Sequence, residues 1–275
     1  MTGLRILAVA IAVLASPLAA HAQTPIFSPN PDSGWVPARA EGDDFISPES
    51  GPGPVESEPG HPYIPNNPRT QPTYRIADLT NPILKPWVIE KMRGPNEEVR
   101  AGKVPFTADA RCWPGGVPGF DVYAHVRPIF FLQTDKQVTI LEESNNEIRR
   151  IYMNVPHSKN QKPSWYGESV GHYEGDELVV DTIGMNDKSF VDNYRTPHTD
   201  QIHVIERFKL IEGGKQLQVN VWVEDQGAFN MPWTAIQRWR KREGLMIEEQ
   251  ICGENPFDHL GVESVPIPQA TRADF

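Results

Sequence analysis

Residues 202–224 read IHVIERFKLIEGGKQLQVNVWVE, and the fold class follows from how this stretch alternates. Leu217, Val219, Val221 and Val223 share one face of an extended chain, while Gln216, Gln218 and Asn220 share the other. The preceding run places Ile202, Val204, Glu206, Phe208 and Leu210 on one face, and Glu212-Gly213-Gly214 between the two runs supplies a hairpin turn. Two antiparallel strands, each wet on one side and buried on the other, are therefore predicted. The same pattern recurs on both sides. Runs at 127–133, 137–143 and 147–153 are separated by short polar breaks; 169–173 and 177–182 flank Glu174-Gly175-Asp176; 234–241 and 245–252 flank Arg242-Glu243-Gly244. At least eight short strands with hairpin connections define an all-β, antiparallel meander. Closure into a β-barrel is the simplest protection for its edges. A two-sheet sandwich is the alternative, because hairpin signals do not report closure.

Ahead of the strands the composition changes twice. Residues 1–22 carry Arg5 as their only charge, an apolar run at 6–14 and the small-x-small ending Ala20-His21-Ala22, the pattern of a signal peptide cleaved before Gln23. The residue after that ending is not Cys, so no lipid anchor is indicated. Residues 23–80 form a Pro-rich extended arm: 14 of the 27 prolines fall between Gln23 and Pro86, where they argue against helix and against any central strand. Trp35 and Phe45 are its candidate anchors. One short helix is predicted at 87–92, ended by Gly94-Pro95. The β-barrel domain is assigned to 81–257, with 258–275 as a C-terminal tail.

The formal charge of -10 becomes -11 once Arg5 is removed with the leader, a field that repels phosphate backbones, so nucleic acid is not an expected partner. No later stretch reaches the roughly 18 to 20 apolar residues a spanning helix needs, so no membrane span is expected and the protein reads as periplasmic or secreted. Cys112 and Cys252 are the only cysteines. Export would place them where disulfides persist, and a bridge between them is predicted, with two buried free thiols as the alternative.

Candidate chemistry concentrates between Arg149 and Arg207, which holds His157, His172, His198 and His203. Glu206 lies in register with four apolar residues. A carboxylate so placed needs either a buried basic partner, for which Arg149, Arg150 and Arg238 are candidates, or a functional cavity. His157 and His198 lie in Pro-containing loops that would fix an imidazole, and Asp181 follows Leu178-Val179-Val180, where it could orient a histidine. The candidate catalytic set is His157, His198, Glu206, His203 and Asp181. Tyr152, Trp165, Arg150 and Tyr173 are candidate substrate-binding residues. His198 and His203, five apart, match neither the helical zinc spacing nor one face of a strand, so no metal is expected; His157, His198, His203 and a carboxylate would be the set if one were held. No nucleotide fingerprint is present and no cofactor is expected. Gly167-Glu168-Ser169-Val170-Gly171 matches G-x-S-x-G formally, but a nucleophile elbow needs a strand turning into a helix, and the following residues read as a hairpin.

Residues 149–153 (RRIYM), 165–182 (WYGESVGHYEGDELVVDT), Asn186-Asp187 and Pro197-His198 resemble the recurring core of a large family of exported bacterial proteins to which no general reaction is assigned. Its pattern is RRIYM, W-x-G-x-S-x-G-x-W-E-G-D-x-L-V-V-D-T, F-N-D and P-H-S. Tyr173 stands here for the usual Trp, Met185 for Phe and Thr199 for Ser. The resemblance covers roughly the globular part, with the segments around both cysteines, and leaves out the Pro-rich arm. The strand arrangement is also similar to lipocalin-type barrels, whose members bind hydrophobic small molecules and in places catalyse hydration, elimination or isomerisation. The expectation is an exported enzyme acting by histidine/carboxylate acid-base chemistry in a barrel cavity, of lyase, dehydratase or isomerase type, or a hydrolase. Its partner would be a small hydrophobic or aromatic molecule. The alternative is a non-catalytic periplasmic carrier for such a molecule. A structural or interaction protein, with the arm binding a partner, is the third reading.

Overall fold

A computed structural model of the chain describes residues 24–38, 45–64, 75–103, 112–123, 128–143 and 147–248. Among them, nine strands close into one barrel in sequence order: β1 (Gly34–Pro37), β2 (Ile129–Gln133), β3 (Gln137–Glu142), β4 (Glu147–Met153), β5 (Glu168–Glu174), β6 (Glu177–Ile183), β7 (His203–Ile211), β8 (Gln216–Glu224) and β9 (Trp233–Arg242). Helix α1 (Pro86–Arg100) lies outside the barrel, and a single turn, α2 (Phe120–Tyr123), precedes β2. No helix among the described residues is long and apolar enough to cross a membrane.

Alternation sets what faces inward. Leu217, Val219, Val221 and Val223 of β8 are buried, as are Val204, Glu206 and Phe208 of β7, Leu178, Val180 and Thr182 of β6, and Val138 and Ile140 of β3. Phe131 meets Phe208 edge to face at 6.0 Å and tilts against Phe27 at 4.8 Å, so aromatic rings contribute to the core.

The all-β barrel is as predicted, but four local expectations are not met. First, β4 and β5 pair in parallel, with Tyr152 opposite Val170, while every other strand pair is antiparallel. A parallel neighbour needs a connection of about a dozen residues or more, and 154–167 provide it where a hairpin turn could not.

Second, the strand that closes the barrel comes from the Pro-rich segment. β1 pairs with β9 from Gly34↔Arg242 to Pro37↔Trp239, and with β2 through Trp35↔Ile129 alone. Most of one side of β1 thus behaves as an edge, where proline is tolerated. Trp35 is fully buried and its indole N–H donates to the Phe27 carbonyl at 3.1 Å; Phe45 is buried edge to face on Trp233. Both candidate anchors therefore hold the segment to the core. Third, Leu245 to Glu248 form no strand, because β1 already occupies the edge of β9 that a last hairpin partner would need.

Fourth, α1 continues through Gly94-Pro95 to Arg100. Pro95 removes one helical hydrogen bond. Next to it, buried Asn96 uses both halves of its amide on Ala77, accepting its N–H and donating to its carbonyl, each at 2.9 Å. With Val88 and Met92 buried on the same helix, tertiary contacts carry the element past its sequence stop signal. The leader, Cys252 and the tail lie outside the described residues.

Candidate functional site

The candidate residues separate into three places, set by strand phase and by the 154–167 crossover. Inside the barrel, Arg149 of β4 and Glu206 of β7 point at one another and both are fully buried. Arg149 Nη1 donates to Glu206 Oε1 at 2.7 Å and Nη2 to Oε2; Nη2 also reaches Thr182 Oγ1 at 3.2 Å and Ser169 Oγ at 3.5 Å. Ser169 and Thr182 share a hydrogen bond of 2.8 Å. The fork of the guanidinium matches the carboxylate, so the two charges compensate one another away from water. Glu206 thus has the buried basic partner that the sequence reading offered as one alternative, and that partner is Arg149. Of its other candidate partners, Arg150 and Arg238 both face outward and are exposed. Ser169 of the G-x-S-x-G stretch is a buried hydroxyl in mid-strand, part of this polar core.

On the outer wall, three of the predicted residues do come together. His157, carried by the crossover, lies with Nδ1 3.0 Å from Glu168 Oε1 and Nε2 3.0 Å from Asp181 Oδ1. His203 Nε2 reaches the same Asp181 oxygen at 2.9 Å, and its ring stands edge-on to Trp222 at 5.5 Å. With each nitrogen of His157 facing a carboxylate, that ring makes both bonds only when both nitrogens carry hydrogen. The His203 hydrogen bond, and then that of His157, hold the Asp181 carboxyl below its ordinary value against partial burial. Asp181 in turn raises His203 above the ordinary imidazole range. Burial works to raise Glu168, but hydrogen bonds from Ser158 and His157 outweigh it and keep it low. Tyr152 shares this outer face: the register Tyr152↔Val170↔Asp181 places it two strands away, and it is exposed. Among the described residues no group of three or more His, Cys, Asp or Glu is arranged to hold a metal ion.

His198 belongs to neither group. It is buried in the loop before β7, with Nδ1 2.9 Å from the Thr199 carbonyl and Nε2 2.9 Å from Ser189 Oγ. The carbonyl can only accept, so Nδ1 carries the proton and Nε2 accepts from the Ser189 hydroxyl. Burial holds this imidazole below its ordinary value and hence neutral. Ser189 is closed over by Gly116, whose φ of +68 is open to glycine and where a Cβ would come within 2.3 Å of Ser189 Oγ. His198 is therefore a loop-locking group.

A cleft of about 660 Å³ opens at one mouth of the barrel, walled by Thr24, Pro25, Ile26, Ser28, Gln133, Thr134, Asp135, Met153, Asn154 and Tyr173. Gln133 organises it. Its Nε2 donates to Tyr173 Oη at 2.8 Å and to the Pro25 carbonyl at 2.9 Å, and its Oε1 accepts the Phe27 N–H at 2.8 Å. Burial pushes the Tyr173 phenol up, so it stays protonated, and since its oxygen already accepts from Gln133 its own hydrogen is available to donate. Of the predicted binding residues, Tyr173 alone lines this cleft; Trp165 is tilted against Trp113, with ring centroids 5.6 Å apart. Gln133 and the wall at 24–28 were missed. Only closure by β1 brings the Pro-rich segment to this mouth, and no local pattern announces it.

Fold and site define a class: a closed β-barrel with a cleft at its mouth and a carboxylate–imidazole cluster on its outer wall. In comparisons with family models, curated proteins and solved structures, the chain matches none.

Proposed function

We propose that the protein is an exported binding or carrier barrel whose small-molecule ligand seats in the mouth cleft. The observation that carries this reading is the mixed wall of the cleft, where Ile26 and Met153 lie beside the phenolic donor of Tyr173 and the polar side chains of Thr24, Ser28, Thr134, Asp135 and Asn154. The candidate acid-base residues lie elsewhere: Glu206 is inside the barrel, His198 is buried with Ser189, and His157, Asp181 and His203 are on the outer wall. A small amphipathic ligand, with an apolar part against Ile26 and Met153 and a polar part that includes a hydrogen-bond acceptor for Tyr173, fits this lining.

The test begins with the mature protein purified from its native compartment and examined by native mass spectrometry for a co-purifying compound. With that compound, Tyr173→Ala is expected to weaken binding about tenfold or more and Tyr173→Phe by a few-fold, the scale of one lost hydrogen bond. Affinity within twofold of the parent in Tyr173→Ala would remove the cleft as the site.

A second reading, acid-base catalysis at the outer wall, is favoured by one observation, the bridging of His157 and His203 by a single Asp181 oxygen beside Trp222. It requires that the compound be turned over, and that Asp181→Asn lower the rate by about 10²-fold to 10⁴-fold in a folded protein. Binding without turnover rejects it.

A further inference from the structure

Strand phase divides the outer wall of the barrel into two unlike halves. The outward positions of β5 to β8 carry the carboxylates Glu168, Glu174, Glu177, Asp181 and Glu224. The outward positions of β9, β1, β2, β3 and β4, which follow one another around the closed sheet, carry no carboxylate, in a chain with 36 acidic and 26 basic side chains. They carry Arg238, Arg240 and Arg242 on β9 and Arg150 on β4, all exposed. The three arginines of β9 stand two residues apart, so their charges repeat about every 7 Å along the strand. Arg238 Nε donates to the neutral Gln218 side chain at 3.0 Å.

Between the arginines lies apolar surface. Register sets Phe130, Leu141 and Ile148 in one row and Leu132, Thr139 and Arg150 in the next, with Tyr152 beyond. Leu132 is 56% exposed, and Ile148 and Tyr152 are exposed as well. Leu245 closes over β1, where a Cβ at Gly34 would come within 3.1 Å of it and 2.8 Å of Phe130. Met246, 80% exposed, and Ile247 follow it directly. Asp32, Asp135, Glu243 and Glu248 lie in the turns and the segment that border this face, and Glu243 is held by Lys241 at 3.0 Å. From β9 to β4 the face spans four strand spacings, about 19 Å.

We propose that this face docks the protein peripherally on an anionic lipid bilayer, with the arginines at the headgroup phosphates and Leu132, Ile148, Met246 and Ile247 in the interfacial layer. The partner has to be anionic and apolar at once, and a bilayer surface is both. The acidic half of a second copy supplies charge, but none of the strongly exposed apolar side chains lies on β5 to β8 to match. Nucleic acid supplies phosphate without an apolar layer. The formal charge of -10 does not oppose docking, because charges on the far wall are screened over a Debye length of about 8 Å. Leu132 and Tyr152 directly precede Gln133 and Met153 of the cleft wall, so docking sets the mouth at the bilayer, where an amphipathic ligand partitions. That last step rests on the cleft reading; the surface does not, and vesicle binding by ligand-free protein tests it alone.

The mature protein is sedimented with vesicles of phosphatidylcholine, with and without one part in three of phosphatidylglycerol. Binding to the anionic vesicles alone, weakened by salt, is expected. Arg238→Gln, Arg240→Gln and Arg242→Gln together should weaken it on the order of a hundredfold, at roughly fivefold per arginine. Leu132→Ser with Ile148→Ser should weaken it about tenfold at unchanged charge. Near-ultraviolet circular dichroism should stay that of the parent in both. Arg207→Gln with Lys209→Gln, on the acidic half, should leave affinity within about twofold, since those charges face away from the bilayer. No binding to anionic vesicles, or a triple variant within twofold of the parent, overturns the proposal. An equal loss per charge from Arg207 and Lys209 overturns the choice of face. Affinity untouched by the two serines reduces the face to a polyanion site, and a dimer that the triple variant dissociates assigns it to a second copy; either result sinks the bilayer.

Discussion

Glu206 and Asp181 lie one strand apart and live in opposite worlds. Asp181 pairs with Ile205, the chain neighbour of Glu206, yet Glu206 points into the barrel and Asp181 out of it. The inner carboxylate meets a guanidinium with neither side chain exposed; the outer one is 39% exposed and shared by two imidazoles. The same backbone ladder thus builds one ion pair that the core cannot lose and one cluster that solvent, salt and pH can reach. A shift of one residue in phase separates them.

The largest effect is expected inside. Glu206→Ala leaves Arg149 buried without its carboxylate and should cost about 3–5 kcal/mol in urea unfolding. The double replacement Arg149→Met with Glu206→Leu should restore most of that loss, since a packed apolar pair of similar volume avoids the desolvation of both charges. If the double variant is as unstable as the single, the pair is not the source of the loss. Next in size, Thr182→Val removes a hydroxyl that bonds both Arg149 and Ser169 and should cost about 1–2 kcal/mol. A cost near zero would mean the Arg149–Glu206 fork alone satisfies the interior.

The smallest effects are expected on the outer wall, and they carry the pH dependence. His203 is raised above its ordinary value of 6.5, so its contribution is complete below that value and is lost as pH rises through the raised one. Asp181 is lowered from 3.8, so its contribution is complete above 3.8 and is lost as pH falls through the lowered value. The pair therefore stabilises fully between those two ordinary values. Asp181→Asn should cost no more than about 1 kcal/mol at pH 5.5, given its exposure, and less at pH 8.5. Added salt of about 0.5 M should shrink the Asp181 effect and leave the Glu206 effect unchanged. Equal salt sensitivity at both sites would erase the contrast between inner and outer wall.

Both faces were partly legible in the sequence. Alternation in 202–224 placed Glu206 among apolar neighbours and named Arg149 among its possible partners, because strand phase is a local property. It could not decide among Arg149, Arg150 and Arg238, since that depends on which strands cross the barrel from β7. The G-x-S-x-G stretch, 167–171, has a structural reading. A Cβ at Gly167 would come within 2.3 Å of the Ile183 carbonyl and one at Gly171 within 2.8 Å of Ile151, while Ser169 between them bonds Thr182. Close approach of neighbouring strands accounts for the G-x-S-x-G spacing. The grouping of His157 with Asp181 and His203 was not legible, because it depends on a crossover that reads locally as a polar loop. Glu168, which completes that group, carried no signal apart from its place at the head of β5.

What the sequence determined by itself is the set of strands from β2 to β9, to within about two residues at each end and with one run too many at 245–248, and the faces of β7 and β8. These follow from a period of two and from turn residues a few positions apart, both short-range. Only the tertiary structure decided that β1 from the Pro-rich segment closes the barrel, that β4 and β5 run parallel, and that Gln133 ties residues near 25 to Tyr173. Each of these joins strands or segments through a long connection rather than a tight turn. The winner there is settled by competition for a free sheet edge and by burial of Trp35 and Phe27, which no local pattern encodes.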